Sequence, residues 1–221
     1  MSGEADGGSP PRKPDLKPDV LRPASGRLTI TARAAPTTPV DTLKPQPDRK
    51  LVEAYDYKDA AGNLLYQVVR FEPKGFRLRK PDGSGGWTWD PRDLPLVLYR
   101  LPDVMAANTV MVLEGEKDVE TAYRLVLPAG WAATTCPFGT RWMSVYGEML
   151  RGKNIVLCPD NDPSGQDHLR QIGRDLVGKV PDMQLIVLPE KIKDLSVWAD
   201  GKTKEQFAAL LESARPVDFP P

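Results

Sequence analysis

Acidic residues are concentrated in this chain where predicted strands end. Glu114 directly follows one apolar run, Asp160 and Asp162 follow another, and Asp194 lies beyond the last. Asp118, four residues after Glu114, can reach the same place from the first turn of a helix. Ligands of open α/β sheets bind outside the carboxyl ends of the strands, so we expect these side chains to converge. Clustered carboxylates repel one another unless a cation shares them, and all-oxygen ligands favour Mg²⁺ or Mn²⁺ over zinc.

Each acidic motif also has an ordinary structural interpretation. A D-x-D pair after a strand, such as Asp160 and Asp162, is most often a turn or a helix cap, and Asp194 alone is more typical of a surface acid. The glycines favour a ligand site: Gly115 lets the backbone approach a phosphate, and Gly165 opens a helix whose N-terminus favours an anion. Because the acids follow successive strands in order, we interpret them together as a metal site.

Short apolar runs alternate with amphipathic segments over residues 103–221. The predicted strands are Thr109–Leu113, Trp131–Thr135, Asn154–Cys158 and Gln184–Leu188. The predicted helices are Glu116–Leu125, Trp142–Leu150, Gln166–Val177 and Lys204–Ala214. Such βαβ repetition predicts an α/β fold with a parallel sheet flanked by helices. Cys158 is assigned to the core, and His168 to a surface or capping position rather than to catalysis.

Residues 51–102 have a different pattern, in which alternating strands are separated by glycine-containing turns. This pattern predicts a small antiparallel, β-rich subdomain with one basic face, and it leaves the structure of residues 94–101 open. The basic residues lie within eleven positions: Arg70, Lys74, Arg77, Arg79 and Lys80. They form either a solvated strand face or a nucleic-acid-binding track, and we predict the latter. Nearby aromatic residues suit base stacking, although at least two are expected in the core: Phe71, Phe76, Trp87 and Trp89.

Composition limits the class of protein. Nine of the 23 prolines fall in the first 47 residues, so residues 1–50 are predicted to form a disordered tail before a globular body. A formal net charge of +0 excludes a wholly basic coat, so nucleic-acid binding needs a local patch. Two cysteines and one histidine do not suit a structural zinc site, and no apolar stretch is long enough for a membrane span. We therefore expect a cytoplasmic protein without membrane association.

Two acidic motifs together resemble a known domain. The segments Leu113–Asp118 (LEGEKD) and Asp160–Gly165 (DNDPSG) are similar to the TOPRIM signature of bacterial-type primases, topoisomerases and some nucleases. Between them, Thr134–Gly139 (TTCPFG) resembles a small-residue turn of primases from phages and mobile elements. Residues 55–80 also resemble the region that precedes TOPRIM in those primases. The resemblance extends over roughly residues 51–200.

This resemblance implies template-directed synthesis of short RNA primers on single-stranded DNA from nucleoside triphosphates. It implies that Asp160 and Asp162 carry Mg²⁺ or Mn²⁺, aided by Asp118 and Asp194, and that Glu114 binds metal or acts as a general acid or base. It further implies that the basic residues contact phosphates of template or nucleotide. The same metal site is compatible with a TOPRIM nuclease, and the fold with a non-catalytic, nucleic-acid-binding replisome module.

The sequence departs from the pattern of those primases in two respects. The N-terminal region has no cysteine for a zinc ribbon, and no G-x-x-x-x-G-K-[ST] loop follows residue 201. We therefore expect initiation to depend on another protein, such as a separate replicative helicase. A topoisomerase is less favoured, since we expect no room for a separate domain with a nucleophilic tyrosine.

Deletion of residues 1–50 should leave the melting temperature and metal binding nearly unchanged. The reason is that this proline-rich composition cannot bury enough apolar surface to offset chain entropy. Thermal melting of the full-length and truncated proteins, with and without Mn²⁺, measures both quantities. A large loss of stability in the truncated protein would show that the folded part begins before residue 51.

Overall fold

The computed structural model describes residues 49–90, 92–139 and 141–219, so the predicted tail lies outside the described residues except at its end. Within these ranges the strands are β1 (Lys50–Lys58), β2 (Leu64–Glu72), β3 (Gly75–Pro81), β4 (Trp87–Thr88), β5 (Thr109–Leu113), β6 (Trp131–Thr134), β7 (Asn154–Cys158), β8 (Asp182–Leu185) and β9 (Arg215–Pro216). The helices are α1 (Leu101–Ala106), α2 (Glu116–Arg124), α3 (Ser144–Met149), α4 (Pro163–Leu176), α5 (Leu195–Trp198) and α6 (Lys204–Glu212). A short 3₁₀ turn covers Pro137–Gly139.

Strands β1 to β4 form an antiparallel sheet in sequence order. The turn between β1 and β2 forms because Asp59 Oδ1 accepts a hydrogen bond from the backbone amide of Asn63 at 2.9 Å. Gly62 adopts a left-handed φ of 89° in this turn, which a glycine tolerates without a steric penalty. The register pairs Tyr57 with Tyr66, and their rings stack with centroids 4.8 Å apart. The predicted antiparallel sheet is therefore confirmed.

The second sheet has the strand order β6-β5-β7-β8-β9 and is parallel except between β8 and β9. Strands β5 and β7 lie near its centre, and each has four buried residues in succession. Burial on both faces requires the continuous apolar runs by which these strands were predicted. The predicted α/β fold, a mostly parallel sheet flanked by helices, is confirmed.

Within the described part of the chain, one hydrophobic core extends from the first sheet into the second. Tyr57 and Tyr66 of the first sheet are buried together with Tyr99, and the Tyr57 and Tyr99 rings lie 5.2 Å apart. The Tyr57 hydroxyl donates a hydrogen bond to Glu116 Oε1 at 2.8 Å, across to the first turn of α2. Buried polar groups need such partners, so this bond fixes where α2 begins relative to β1.

Two helices that border the acidic edge, α4 and α5, begin at side-chain caps. Asp162 caps α4, and Asp194 caps α5. Further along the chain, Thr203 and Gln206 form a reciprocal capping box at α6. The longest of these helices, α4, has 14 residues. Among the described residues, no helix is long and apolar enough to cross a membrane.

Some element boundaries differ from those predicted. The strand predicted at 184–188 is observed as β8 at Asp182–Leu185. The prediction followed an apolar run, which marks buried residues, whereas the observed bounds follow hydrogen bonding to β7. Residues 94–101, for which no structure was predicted, lead without a strand into α1, which has Pro102 in its first turn. Helices α1 and α5 were not predicted, since four to six residues are too few to show a helical period.

Candidate active site

The predicted acidic residues start from neighbouring strand ends of the parallel sheet. Leu113, the last residue of β5, pairs with Cys158, the last residue of β7. Glu114 therefore leaves its strand beside the segment that carries Asp160. The backbone register alone brings the two acidic motifs together at the carboxyl edge, as expected for a parallel sheet.

Burial and mutual repulsion raise the pKa values of three of these carboxyl groups. Desolvation raises the pKa of Glu114 to about 7, and the charges of Asp160 and Asp162 add to the shift. Desolvation also raises the pKa of Asp118 to about 7, with the charge of Asp194 as the next cause. Burial raises the pKa of Asp160 in the same direction. Asp160 thus lies within electrostatic reach of each of the other four predicted acids.

Two glycines make room for Glu114, because neither has a Cβ. Gly139 has a left-handed φ of 64°, and a Cβ there would overlap the carbonyl oxygen of Glu114. At Gly165 a Cβ would lie 2.9 Å from Glu114 Oε2. The Thr135 hydroxyl donates a hydrogen bond to the Glu114 carbonyl at 2.9 Å. The turn after β6 and the start of α4 therefore hold Glu114 from two sides, and neither tolerates a larger residue at its glycine.

Asp162 and Asp194 are helix caps as well as members of the acidic edge. Asp162 Oδ1 accepts a hydrogen bond from the Gly165 amide at 2.9 Å, and Asp194 Oδ1 accepts one from the Val197 amide at 2.8 Å. Hydrogen bonds from the Ser164 side chain and the Gly165 amide hold the pKa of Asp162 below its usual value. The ordinary interpretation of the D-x-D pair is therefore correct for Asp162. Capping uses the Oδ1 atom of each carboxylate.

Lys193 places a cation at this edge, and no role for it was predicted from the sequence. Its ammonium lies 3.2 Å from Asp160 Oδ2 and 3.5 Å from Asp162 Oδ2. The Asn161 amide donates to the Lys193 carbonyl at 2.6 Å, which holds the loop before α5 against the D-x-D turn. In the sequence, the only feature that indicated a role for Lys193 at this edge was its position directly before Asp194.

The donor set suits a hard divalent cation but does not enclose one. Among the described residues, no group of three or more Asp, Glu, His or Cys side chains is placed to hold a single metal ion. The Lys193 ammonium instead lies between Asp160 and Asp162. Glu114 Oε2 is buried and accepts no hydrogen bond from the described part of the chain. A set of oxygen donors with excess negative charge fits Mg²⁺ or Mn²⁺.

Two further buried polar residues border the site. Glu116, bonded to Tyr57, has a pKa raised by its burial. His168 is only 8% exposed, so its predicted surface or capping position was wrong. The signal that could have placed it is helical spacing, since the buried face of α4 includes Gly165, His168, Leu169 and Ile172.

Two of the predicted basic residues form a surface with two tryptophans. The Arg77 guanidinium lies 4.7 Å from the Trp89 ring centroid, and that of Arg79 lies 4.2 Å from the Trp87 centroid. Arg79 Nε also donates to Gln67 Oε1 at 2.7 Å. We call Arg77, Arg79, Trp87 and Trp89 the Arg–Trp face. None of the four aromatic residues near the basic segment is buried, so the expectation of two in the core was wrong: Phe71, Phe76, Trp87 and Trp89.

The other three basic residues lie elsewhere. Arg70 pairs with Phe76 in the β2–β3 register, which places it on the opposite side of the sheet from Arg77. Lys74 is exposed in the turn between these strands, and Lys80 Nζ donates to a backbone carbonyl at 2.8 Å. The five residues therefore do not share one basic face, because side chains alternate along each strand and Arg70 precedes the turn.

Comparison with solved structures identifies the fold. The primase fragment of the bacteriophage T7 primase-helicase protein matches with a TM-score of 0.50 and 20% identity, over 72% of this chain and 62% of that one. Primase domains in a T7 lagging-strand polymerase complex match with a TM-score of 0.54 and 19% identity, over 74% and 78%. A DNA primase domain from Pseudomonas aeruginosa matches with a TM-score of 0.53 and 17% identity, over 74% and 51%. This chain has the fold of a DNA primase domain.

The primase fold confirms the resemblance drawn from the acidic motifs. No family model matches the sequence, and no curated protein matches it significantly. The matched region spans about half of the Pseudomonas domain and less than two thirds of the T7 fragment. At these levels of identity the comparison establishes the primase fold and leaves the reaction to be argued from the site.

In a chelating buffer the free energy of unfolding should fall as pH rises from about 4.5 to about 7. The folded-state pKa values of Glu114 and Asp118 are raised to about 7, so the unfolded chain releases these protons at lower pH than the folded one. Burial of these two carboxyl groups therefore costs least stability below their pKa in the unfolded chain, and it costs most above their pKa in the folded protein. Denaturant unfolding at a series of pH values in EDTA measures the slope.

Glu114→Gln should flatten this slope, because the amide cannot ionise. Asp182→Asn, an exposed change at the start of β8, is the matched control and should leave the slope as in the parent. Equal slopes for the parent and Glu114→Gln would contradict the assignment of a raised pKa to Glu114.

The Arg–Trp face should bind single-stranded nucleic acid better than the opposite side of the sheet. Arg77→Ala combined with Arg79→Ala should weaken binding and reduce the salt slope by about 0.7 log units for each phosphate that the variant no longer binds. Arg70→Ala combined with Lys74→Ala removes the same charge and should have a smaller effect. Fluorescence anisotropy at several salt concentrations measures both pairs, and equal effects would mean that net charge rather than this face determines binding.

Proposed function

We propose that this chain is the catalytic part of a primase-type nucleotidyltransferase that makes short RNA primers on single-stranded DNA. The observation that carries the proposal is a primase fold whose acidic residues line the carboxyl edge of its parallel sheet. The T7 primase domains were solved bound to an RNA/DNA hybrid and dTTP. By analogy we infer that this chain takes a DNA template and nucleoside triphosphates. A separate replicative helicase is a further inferred partner, and the cytoplasm the inferred location.

Oxygen donors at the acidic edge are proposed to hold Mg²⁺ or Mn²⁺. Asp160 and Asp162 are the main ligands, because their Oδ2 atoms already share one cation, the Lys193 ammonium. Asp118 and Asp194 add further negative charge near Asp160. When bound, the metal supplies positive charge to the attacking and leaving oxygens of phosphoryl transfer. The Lys193 side chain is 56% exposed, so it is free to turn toward a phosphate of the nucleotide.

Glu114 is proposed to ligate the cation or to exchange a proton with the reacting hydroxyl. A pKa near 7 favours the second role, because such a group both accepts and releases a proton at neutral pH. Gly139 packs against its backbone carbonyl and Gly165 against its Oε2 atom, so Glu114 is enclosed by close packing on both sides.

The Arg–Trp face is proposed to bind the template strand. Guanidinium groups that stack on tryptophan rings keep N–H donors directed to the rim, where phosphates can reach them. Trp87 is 37% exposed and offers a ring for base stacking, which is largely independent of sequence. Arg70, Lys74 and Lys80 are expected to contribute general positive charge rather than defined contacts.

Replacing both Asp160 and Asp162 with Asn should abolish primer synthesis and metal-induced stabilisation. Asn still caps a helix well, so α4 should remain intact while two negative charges are removed. Without metal the double variant should stay close in stability to the parent, because the relief of repulsion is offset by the loss of the ion pairs with Lys193. With millimolar Mn²⁺ only the parent should gain stability, since a ligand that binds the folded state stabilises it by mass action.

The measurements are thermal melting with and without Mn²⁺ and a gel assay for labelled oligoribonucleotides on single-stranded DNA. Asp182→Asn removes an acidic charge from the opposite end of the sheet and serves as the control. Glu114→Gln should lose activity but keep much of the metal-induced shift. An active double variant, or a parent without a metal-dependent shift, would refute the metal site, whereas metal-dependent DNA cutting would replace the primase proposal with a nuclease.

A further inference from the structure

A small cavity lies beneath Glu114, between the parallel sheet and α4. Its volume is about 10 Å³. The apolar part of its lining comes from β5, β7 and α4 and includes Val112, Leu157, Leu169 and Ile172. Glu114 and His168 line the same cavity from opposite elements, the end of β5 and the second turn of α4. Space for one water molecule requires about 10 to 15 Å³, so the cavity has the size of a single water.

Both of these residues direct an unsatisfied polar atom into buried surroundings. Glu114 Oε2 and His168 Nε2 are inaccessible to solvent, and neither has a hydrogen-bond partner within residues 49–90, 92–139 and 141–219. Buried polar atoms are almost always hydrogen-bonded to protein or to internal water, and the two residues that carry these atoms line the same cavity. Gly165, one turn before His168 on α4, is the residue that lets Glu114 Oε2 approach the helix.

We propose that one internal water occupies this cavity, hydrogen-bonds to Glu114 Oε2 and His168 Nε2, and makes His168 a positioning residue for Glu114. A neutral imidazole can donate to or accept from water, and burial favours the neutral form of His168 by lowering its pKa. The water would fix Oε2 on the inner side of the carboxyl group and leave the other oxygen for the reaction. The positioning role rests on the function proposed for Glu114, whereas the water site does not.

The bridge can be tested without any activity, because His168 is the only histidine in the chain. Nitrogen NMR of the ¹⁵N-histidine-labelled, full-length protein then reports a single imidazole. Glu114→Gln should shift the Nε2 resonance, since the amide cannot accept the hydrogen bond of the water in the same way, and Asp182→Asn should not. A high-resolution crystal structure should contain one water within hydrogen-bond distance of both atoms. A dry cavity, or an Nε2 resonance indifferent to Glu114→Gln, would overturn the bridge.

The positioning role is tested by three variants on α4. His168→Leu should lower kcat for primer synthesis by about tenfold or more with an unchanged KM for nucleotide, as is typical when a supporting hydrogen bond is removed. His168→Gln, which retains a polar atom at a similar reach, should recover most of the rate. Leu169→Met changes the apolar lining of the same cavity and should leave kcat close to that of the parent. The Mn²⁺-induced thermal shift should be similar in all three.

These outcomes separate the inference from the proposed function. If Leu169→Met lowers kcat as much as His168→Leu, or if His168→Gln fails to recover activity, His168 acts through packing and the positioning role is wrong. If the parent itself makes no primers, the proposed function fails, and the NMR and crystallographic measurements still decide whether the water is there.

Discussion

Carboxylates at the carboxyl edge of the second sheet repel one another, and the chain has to hold them there against that repulsion. It does so in three ways. Backbone amides at the starts of α4 and α5 donate hydrogen bonds to Asp162 and Asp194. The Lys193 ammonium lies between Asp160 and Asp162. Glu114 and Asp118 have pKa values raised to about 7, so part of the negative charge can be neutralised by protons. The fold therefore tolerates the cluster before any metal binds.

Close backbone packing is the second requirement of this edge, and it explains the small residues around it. Gly139 approaches the Glu114 carbonyl so closely that no side chain fits at position 139. At the start of α4, Gly165 approaches the Asp160 carbonyl and Glu114 Oε2 in the same way. On the far side, the bond from Tyr57 to Glu116 ties the first sheet to α2. The antiparallel sheet thus supports the helix that follows Glu114, in addition to carrying the Arg–Trp face.

The sequence allowed accurate prediction where one local pattern determines the structure. The bounds of β5 and β7 agree with the prediction because both strands are buried on both faces and are followed within two residues by an acidic residue. The grouping of the acids follows from the parallel register in the same way. Features that depend on tertiary contacts were missed. Lys193 is one of them, since it reaches Asp160 across two loops. The positions of Arg70 and His168 were also missed, although strand alternation and helical spacing indicate them, whereas the cavity that His168 lines depends on how α4 packs on the sheet.

The two interpretations of the D-x-D motif, helix cap and metal ligand, are compatible in this structure. Capping engages Asp162 Oδ1 with the Gly165 amide, while Oδ2 lies 3.5 Å from the Lys193 ammonium. One oxygen therefore orients the carboxylate through α4, and the other is presented to a cation. A metal ligand oriented by its own helix loses little side-chain entropy when the ion binds. The spacing D-x-D-x-x-G is thus compatible with both the helix cap and the proposed metal site, because the amide of Gly165 restrains Asp162 and the absence of a Cβ at Gly165 admits Glu114.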